Sequence, residues 1–303
     1  MTDSDHSSPL GSPQQDPDIA GPAPAILLAA FEGWNDAGGA ASQAVAMIAE
    51  AWDATVIHEL DPQEFHDFQV NRPIVGRDDD GNRVLTWPST TISVARTPVA
   101  GRTLLLVQGI EPSFRWLDYC EEILDVAQTW EVGSVVAVGA LLADVPHTRP
   151  IPSQVTSDDP RVQALIGAGD SEYEGPSGIV GVLAHLAQDR DLHAMTLWAA
   201  VPHYVAQPPS PKATLALLTA LEELIGEPAP LGDLAEDARA WQAGVDELAE
   251  QDPEVAEYVR QLEEVKDTAE LPEASGEAIA REFERYLRRR DRGSGPTAGG
   301  KQT

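Results

Sequence analysis

Apolar residues run through this chain in two rhythms. Short unbroken runs at 25–30, 103–107, 134–138 and 194–200 present no polar face, the pattern of strands covered on both sides. Between them, apolar positions recur three and four residues apart, predicting helices over 37 to about 52, 113–131, 177–188 and 211–225. Leu117, Cys120, Leu124 and Ala127 would share one face of the second helix. The last opens on Ser210 as a side-chain cap, with Pro211 at the first helical position. Residues 55–60 read as a further strand. Residues 84–94 read as a hairpin or a pair of strands around Trp87-Pro88, and 61–81 as a polar loop long enough to suggest a function. Strands alternating with amphipathic helices predict an α/β domain over 25–226, three layers with a mostly parallel sheet.

The rhythm changes at Glu227. Beyond it only the helical period appears, at Trp241, Val245 and Leu248, at Val255, Tyr258, Val259 and Leu262, and at Ile279, Phe283, Tyr286 and Leu287. Breaks fall near Asp252-Pro253 and Leu271-Pro272. A three-helix appendage over 227–292 follows, packed on the α/β core or on a neighbouring subunit. Residues 1–24 and 293–303 hold almost no large apolar groups. They are expected to be disordered tails, unable to offset the entropy of ordering.

Composition narrows the partners. Fifty acidic residues against twenty basic give a formal charge of −30. Such a surface repels phosphate backbones and anionic lipid, so neither nucleic acid nor membrane is an expected partner. Cys120 is the one cysteine, which excludes an internal disulfide framework and a multi-cysteine zinc site. No apolar run reaches membrane-spanning length. The N-terminal residues lack the basic-then-apolar pattern of a signal peptide. A cytoplasmic protein without a cofactor is expected.

Candidate chemistry clusters where the apolar runs end. Glu32-Gly33-Trp34-Asn35-Asp36-Ala37-Gly38-Gly39 joins the first strand to the first helix. Asn35 or Asp36 can cap that helix, and the glycines let a ligand or another backbone approach. Asp144-Val145-Pro146-His147-Thr148-Arg149-Pro150 follows the third buried strand. Its His, Arg and Asp suit either recognition of a carboxylate, phosphate or sugar, or an internal network with Arg149 on Asp144 or Glu174. Tyr173-Glu174-Gly175-Pro176 precedes a helix, where Glu174 is either a general acid or base or a complement to the helix dipole. Pro202-His203-Tyr204 follows the fourth strand and repeats the tripeptide of Val145-Pro146-His147, like one rim built twice. Glu111-Pro112-Ser113-Phe114-Arg115-Trp116 ends the second strand, with Ser113 as a plausible cap. The histidine spacing matches no metal signature, Cys120 lies on a helix's apolar stripe, and no residue is assigned a catalytic role.

Taken in order, Gly33-Trp34-x-Asp36-Ala37-Gly38, Glu111-Pro112, 144–150, Tyr173-Glu174-Gly175-Pro176 and Leu197-Trp198 through His203-Tyr204 to Pro208-Pro209-Ser210-Pro211 resemble the proteasome assembly chaperone 2 family, in its actinobacterial branch. The resemblance spans about 25–290. It implies a nucleoside-phosphorylase-like α/β fold, self-association into a homo-oligomer such as a dimer or trimer, and no enzymatic activity. It also implies proteasome core subunits as partners. Archaeal and eukaryotic members dock through a C-terminal hydrophobic–Tyr–any tripeptide. This chain ends Lys301-Gln302-Thr303, so contact through another surface is expected. Trp34, Asp36, Asp144, His147, Thr148, Arg149, Tyr173, Glu174, His203 and Tyr204 form the candidate pocket or interface. The alternative is a small-molecule-binding protein or enzyme, nucleoside-phosphorylase-like or of the carboxylate-amine ligase kind. It would use the loops 144–150, 173–178 and 202–204, with Asp144, His147, Arg149, Glu174 and His203 converging on one pocket.

Overall fold

A computed structural model describes residues 24–78, 80–171 and 173–270. The two expected tails and the helix expected around Ile279–Leu287 lie outside these residues. The central sheet has seven strands. In chain order they are β1 (Ala25–Glu32), β2 (Thr55–Leu60), β5 (Thr90–Arg96), β6 (Thr103–Ile110), β7 (Val132–Ala143), β8 (Ser153–Thr156) and β9 (His193–Pro202). Across the sheet they stand β2-β5-β6-β1-β7-β9-β8. The four central strands are parallel, and the edges are antiparallel. This is the mixed α/β architecture that the unbroken apolar runs predicted.

Strand alternation divides the core into two layers. Ile26, Leu28 and Ala30 of β1 pack with Leu104, Leu106, Val136 and Val138 beneath helices α1 (Ala40–Ala51) and α6 (Pro211–Ile225). Leu27, Ala29 and Phe31 face the other way, with Leu105, Val107, Val135 and Ala137, beneath α3 (Trp116–Thr129) and α5 (Ile179–Asp189). Both faces of β1 are buried because each carries a helical layer, hence the absence of a polar period in its sequence.

Several local expectations change. The polar stretch 61–81 contains a one-turn helix, α2 (Pro62–Phe65), and the strand β3 (Ile74–Arg77). β3 pairs with β4 (Arg83–Thr86) outside the main sheet. The residues around Trp87-Pro88 therefore join strands of two different sheets rather than turn a hairpin. β8 and the short helix α4 (Pro160–Ile166) had no clear apolar signature, since neither strand β8 nor most of α4 is buried. In α3, burial begins at Tyr119 and runs through Cys120, Ile123, Leu124 and Ala127, while Leu117 in the first turn is exposed. Ser210 occupies the cap position of α6 and Pro211 its first turn, but the Ser210 hydroxyl makes no hydrogen bond. Instead its backbone N–H donates to the Gly38 carbonyl at 2.9 Å. The two segments are so close that a Cβ on Gly38 would lie 2.6 Å from that of Ser210, and Gly38 has φ +64°. Only glycine suits that place.

After α6, helices α7 (Leu234–Gln251) and α8 (Pro253–Glu270) fold back on the core. α7 lies along α6, and α8 along α7. Each buries a narrow stripe, Leu234, Ala238, Val245 and Ala249 on α7 and Val259 and Leu262 on α8. Leu248, expected on that stripe, is exposed.

Candidate functional site

The carboxyl ends of the parallel strands carry two distinct structures. Neighbouring strands β7 and β9 run in register to Ala143 opposite Pro202, so the two Val-Pro-His segments leave the sheet side by side. His147 is buried, and Tyr204 binds it twice: its hydroxyl lies 2.8 Å from the His147 backbone N–H and 2.7 Å from Nδ1. His147 Nε2 reaches Asp246 Oδ1 of α7 at 2.9 Å. A carboxylate only accepts, so Nε2 carries the proton, and Nδ1 accepts from the Tyr204 hydroxyl. Burial holds the imidazole pKa below its ordinary value, against the opposing pull of Asp246. Lys212 of α6 closes the far side, donating to the His147 carbonyl and to Gln242 Oε1 of α7.

The rest of the loop grips α8. Thr148 donates to Glu263. Arg149 takes Asp267 with two nitrogens, Nε to Oδ1 at 2.9 Å and Nη2 to Oδ2 at 2.8 Å, and reaches Glu263 Oε1 at 3.0 Å. The guanidinium accordingly holds the Asp267 carboxyl below its usual value. Tyr258 donates to Asp144 at 3.2 Å, and Asp144 lies 3.1 Å from His203 Nδ1. The rings of His147, Tyr204, His203 and Tyr258 meet edge to face at 5.5–6.0 Å, a geometry aromatic quadrupoles favour. Asp144, His147, Thr148, Arg149, His203 and Tyr204 thus form one constellation. Its partners are acids and a tyrosine of α7 and α8. Arg149 pairs with neither Asp144 nor Glu174 among its hydrogen bonds.

The second structure is an open cleft of about 1340 Å³. Trp34 after β1, Leu141 and Leu142 near the end of β7, Trp198 of β9, Tyr173 and the face of α5 from Gly181 to Gln188 line it. Trp34 and Tyr173 are 67 % and 66 % exposed, and Leu141 and Leu142 are also exposed. Among the described residues its lining includes Asp158 and Asp170 but no lysine or arginine. Glu174 stands exposed between Tyr173 and Gly175. The five side chains Asp144, His147, Arg149, Glu174 and His203 therefore do not converge on one pocket: the loop bearing Glu174 serves the cleft, and the other four face the C-terminal helices.

Asp36 is turned inward. Its Oδ1 accepts from the Ala41 and Ser42 N–H groups at 2.7 and 3.3 Å, so it caps α1, and burial raises its pKa despite those bonds. Asn35 donates to Glu111 at 2.7 Å, and the same Glu111 oxygen accepts the Ile179 N–H at 3.0 Å. The carboxylate at the start of α5 is therefore Glu111, 68 residues upstream, rather than the nearby Glu174. Ser113 accepts from the Asp67 N–H at 3.1 Å. Arg115 and Trp116 anchor α3, through Asp118 and Glu64 and through the Pro112 carbonyl. Cys120 is fully buried, and its thiol pKa is pushed up to about 12. Among the described residues no three His, Cys, Asp or Glu side chains are grouped to hold a metal ion, and no helix is long and apolar enough to cross a membrane.

Sequence reading missed Asp246, Tyr258, Glu263 and Asp267, the helix-side half of the constellation. The three acids sit on faces rich in other charges and Tyr258 on the expected apolar stripe of its helix, and only their placement opposite the strand-end loops distinguishes them. Leu141 and Leu142 were missed because they continue an apolar run that is otherwise core.

Residues 30–249 match the model of the PAC2 family. The chain is 53 % identical to a PAC2 family protein from Streptomyces avermitilis, over 78 % of this chain and 99 % of that one, with a TM-score of 0.74. It is 45 % identical to a Mycobacterium tuberculosis proteasome-assembly chaperone homologue, over 77 % and 99 % of the two chains, with a TM-score of 0.71. An archaeal proteasome activator from Pyrococcus furiosus shares the fold at 18 % identity, over 77 % and 96 % of the two chains, with a TM-score of 0.57. No curated protein matches the chain.

Proposed function

Because this chain belongs to the PAC2 family, we propose that it is a non-enzymatic, self-associating protein of the proteasome-assembly-chaperone type, working through protein–protein contacts. One observation carries this reading: the division of labour at the strand ends. The polar groups with chemical potential, His147, Arg149 and His203, are occupied with side chains of the same fold or of α7 and α8. The cleft instead gathers exposed apolar and aromatic groups, Trp34, Leu141, Leu142 and Tyr173, beside the exposed Asp158 and Asp170. Exposed apolar groups in one cleft suit recognition of another protein better than chemistry on a small polar substrate.

Proteasome core subunits are the partners this reading favours, given the mycobacterial homologue's description. The test is binding of the full chain to purified proteasome α-subunits. Saturable binding that Trp34→Ala weakens supports the reading; no binding at micromolar concentration overturns it. The cleft's place at strand carboxyl ends, where α/β folds hold ligands, favours a small molecule as the second reading. Stabilisation of the isolated chain by a metabolite, abolished by Trp34→Ala, would support it.

A further inference from the structure

The open cleft is framed by two aromatic rings that the fold holds out into water. Trp34 sits in a turn fixed on both sides. The Asp36 N–H donates to the Gly33 carbonyl at 3.2 Å, and the Asn35 carbonyl accepts the Ala140 N–H at 2.8 Å. Tyr173 is tied by its hydroxyl, which donates to the Pro176 carbonyl at 2.9 Å. That hydroxyl lies so close to Gly175 that a Cβ there would come within 2.7 Å of its oxygen. Both rings are presented on bonded frames, and a ligand covering their faces would remove apolar area now left in water.

The acidic groups of the cleft complete the picture. Asp158 and Asp170 stand exposed in its wall. The adjacent Asp159 is taken by Arg161 and His193. Among the described residues, Asp158 and Asp170 form no ion pair, and Asp170 accepts only from the neutral amide of Gln163. The formal charge of −30 adds to the same field. An anionic ligand is therefore repelled, and a cation is drawn in. A cation over the face of Trp34 or Tyr173 gains from the ring quadrupole. Leu141 and Leu142 offer apolar surface to the aliphatic stem that carries the charge of an arginine or lysine.

Size selects among cations. The volume of about 1340 Å³ exceeds the roughly 300–1,000 Å³ that hold a drug-sized molecule, so there is room for several residues of a chain. We infer that the cleft seats a basic peptide segment of a protein partner, with its arginine or lysine side chains over Trp34 and Tyr173 and their charges towards Asp158 and Asp170. The inference rests on the protein–protein reading above and names the chemistry of the partner's contact.

The experiment is titration of the full chain with a fluorescent peptide alternating arginine and leucine, at physiological ionic strength. Saturable binding is expected, and none for the peptide with glutamate in place of arginine. Trp34→Ala and Asp158→Asn/Asp170→Asn should each weaken binding about three- to tenfold, the scale of one cation–π contact or two exposed ion pairs. Melting temperatures check that both variants fold. Glu247→Gln/Glu250→Gln removes the same charge from the exposed surface of α7 and should leave binding unchanged. Equal weakening by that pair reduces the effect to long-range attraction and overturns the inference. So does unchanged affinity in both cleft variants, or free arginine that binds as tightly as the peptide. Arg288, Arg289 and Arg290 of this chain carry the same chemistry. Binding that appears only in Arg288→Gln/Arg289→Gln/Arg290→Gln means that the chain's own basic stretch fills the cleft, and overturns an outside partner. If proteasome α-subunits bind and the peptide does not, the cleft inference falls and the chaperone reading stands; failure of both overturns both.

Discussion

Arg149 and Asp267, 118 residues apart, form a two-pronged ion pair with nitrogen–oxygen distances of 2.9 and 2.8 Å. The pair ties the loop after β7 to the last turns of α8. Planar guanidinium and planar carboxylate match in this geometry, so the contact fixes orientation as well as proximity. Arg149→Ala is expected to release the end of α8. Amide exchange over 253–270 should speed up several-fold while exchange in α1 stays unchanged; equal protection of α8 in the variant would refute the role. Arg149→Lys should rescue little, since an ammonium cannot take both oxygens at once.

His147 makes docking of α7 sensitive to acid. Its Nε2–H donates to Asp246, and its Nδ1 accepts from Tyr204, whose oxygen already accepts the His147 N–H. A second ring proton would leave Nδ1 unable to accept, so the Tyr204 O–H would have to turn away and lose the bond it now donates. The folded pKa is therefore depressed, by burial first, while the unfolded chain takes up this proton near roughly pH 6.5. The unfolded state binds more protons below that pH, so stability falls as pH drops from about 7 towards 5. The buried His66, also shifted down by desolvation, acts in the same direction. Denaturation midpoints at the two pH values should differ less in His147→Gln than in the wild type.

Glu111 holds three segments with one oxygen: its own strand end, Asn35 after β1 and the first N–H of α5. Glu111→Ala leaves the Asn35 amide and the Ile179 N–H without this partner and should cost about 1–3 kcal/mol. Chemical denaturation of the variant measures this. A change below a few tenths would mean that water replaces the carboxylate.

Gly139 lies beneath the Trp198 ring, which a Cβ at that position would overlap. Gly139→Ala should therefore destabilise the protein by about 1–3 kcal/mol through overpacking. It should also move Trp198, a wall of the cleft. A lowered melting temperature is the expected result, together with weaker binding to purified proteasome α-subunits if these are bound as proposed above.

Cys120 is buried, and its thiol pKa is pushed up to about 12. The thiolate is the reactive form, so the native chain should not react with a thiol reagent at pH 8. It should release one equivalent per chain, its single cysteine, on denaturation.

The sequence by itself determined the central layers. The runs in β1, β6, β7 and β9 show no polar face because helices cover both sides, and burial of that kind is written locally. The same holds for α1, α5 and α6, whose apolar faces follow the helical period. It also marked the loops at 144–150, 173–178 and 202–204 as places where polar groups gather. Only the tertiary structure decided what those groups face. His147 and Arg149 meet acids 99 to 118 residues away, and Glu111 caps a helix 68 residues on. Such pairings leave no local trace, because an exposed-looking Asp on a charged helix face is chemically the same whether it meets water or an arginine. The repeated Val-Pro-His marked two neighbouring strand ends. Their meeting over Tyr204, with α7 and α8 closing on them, follows from strand order and helix placement, which a linear pattern of residues does not encode.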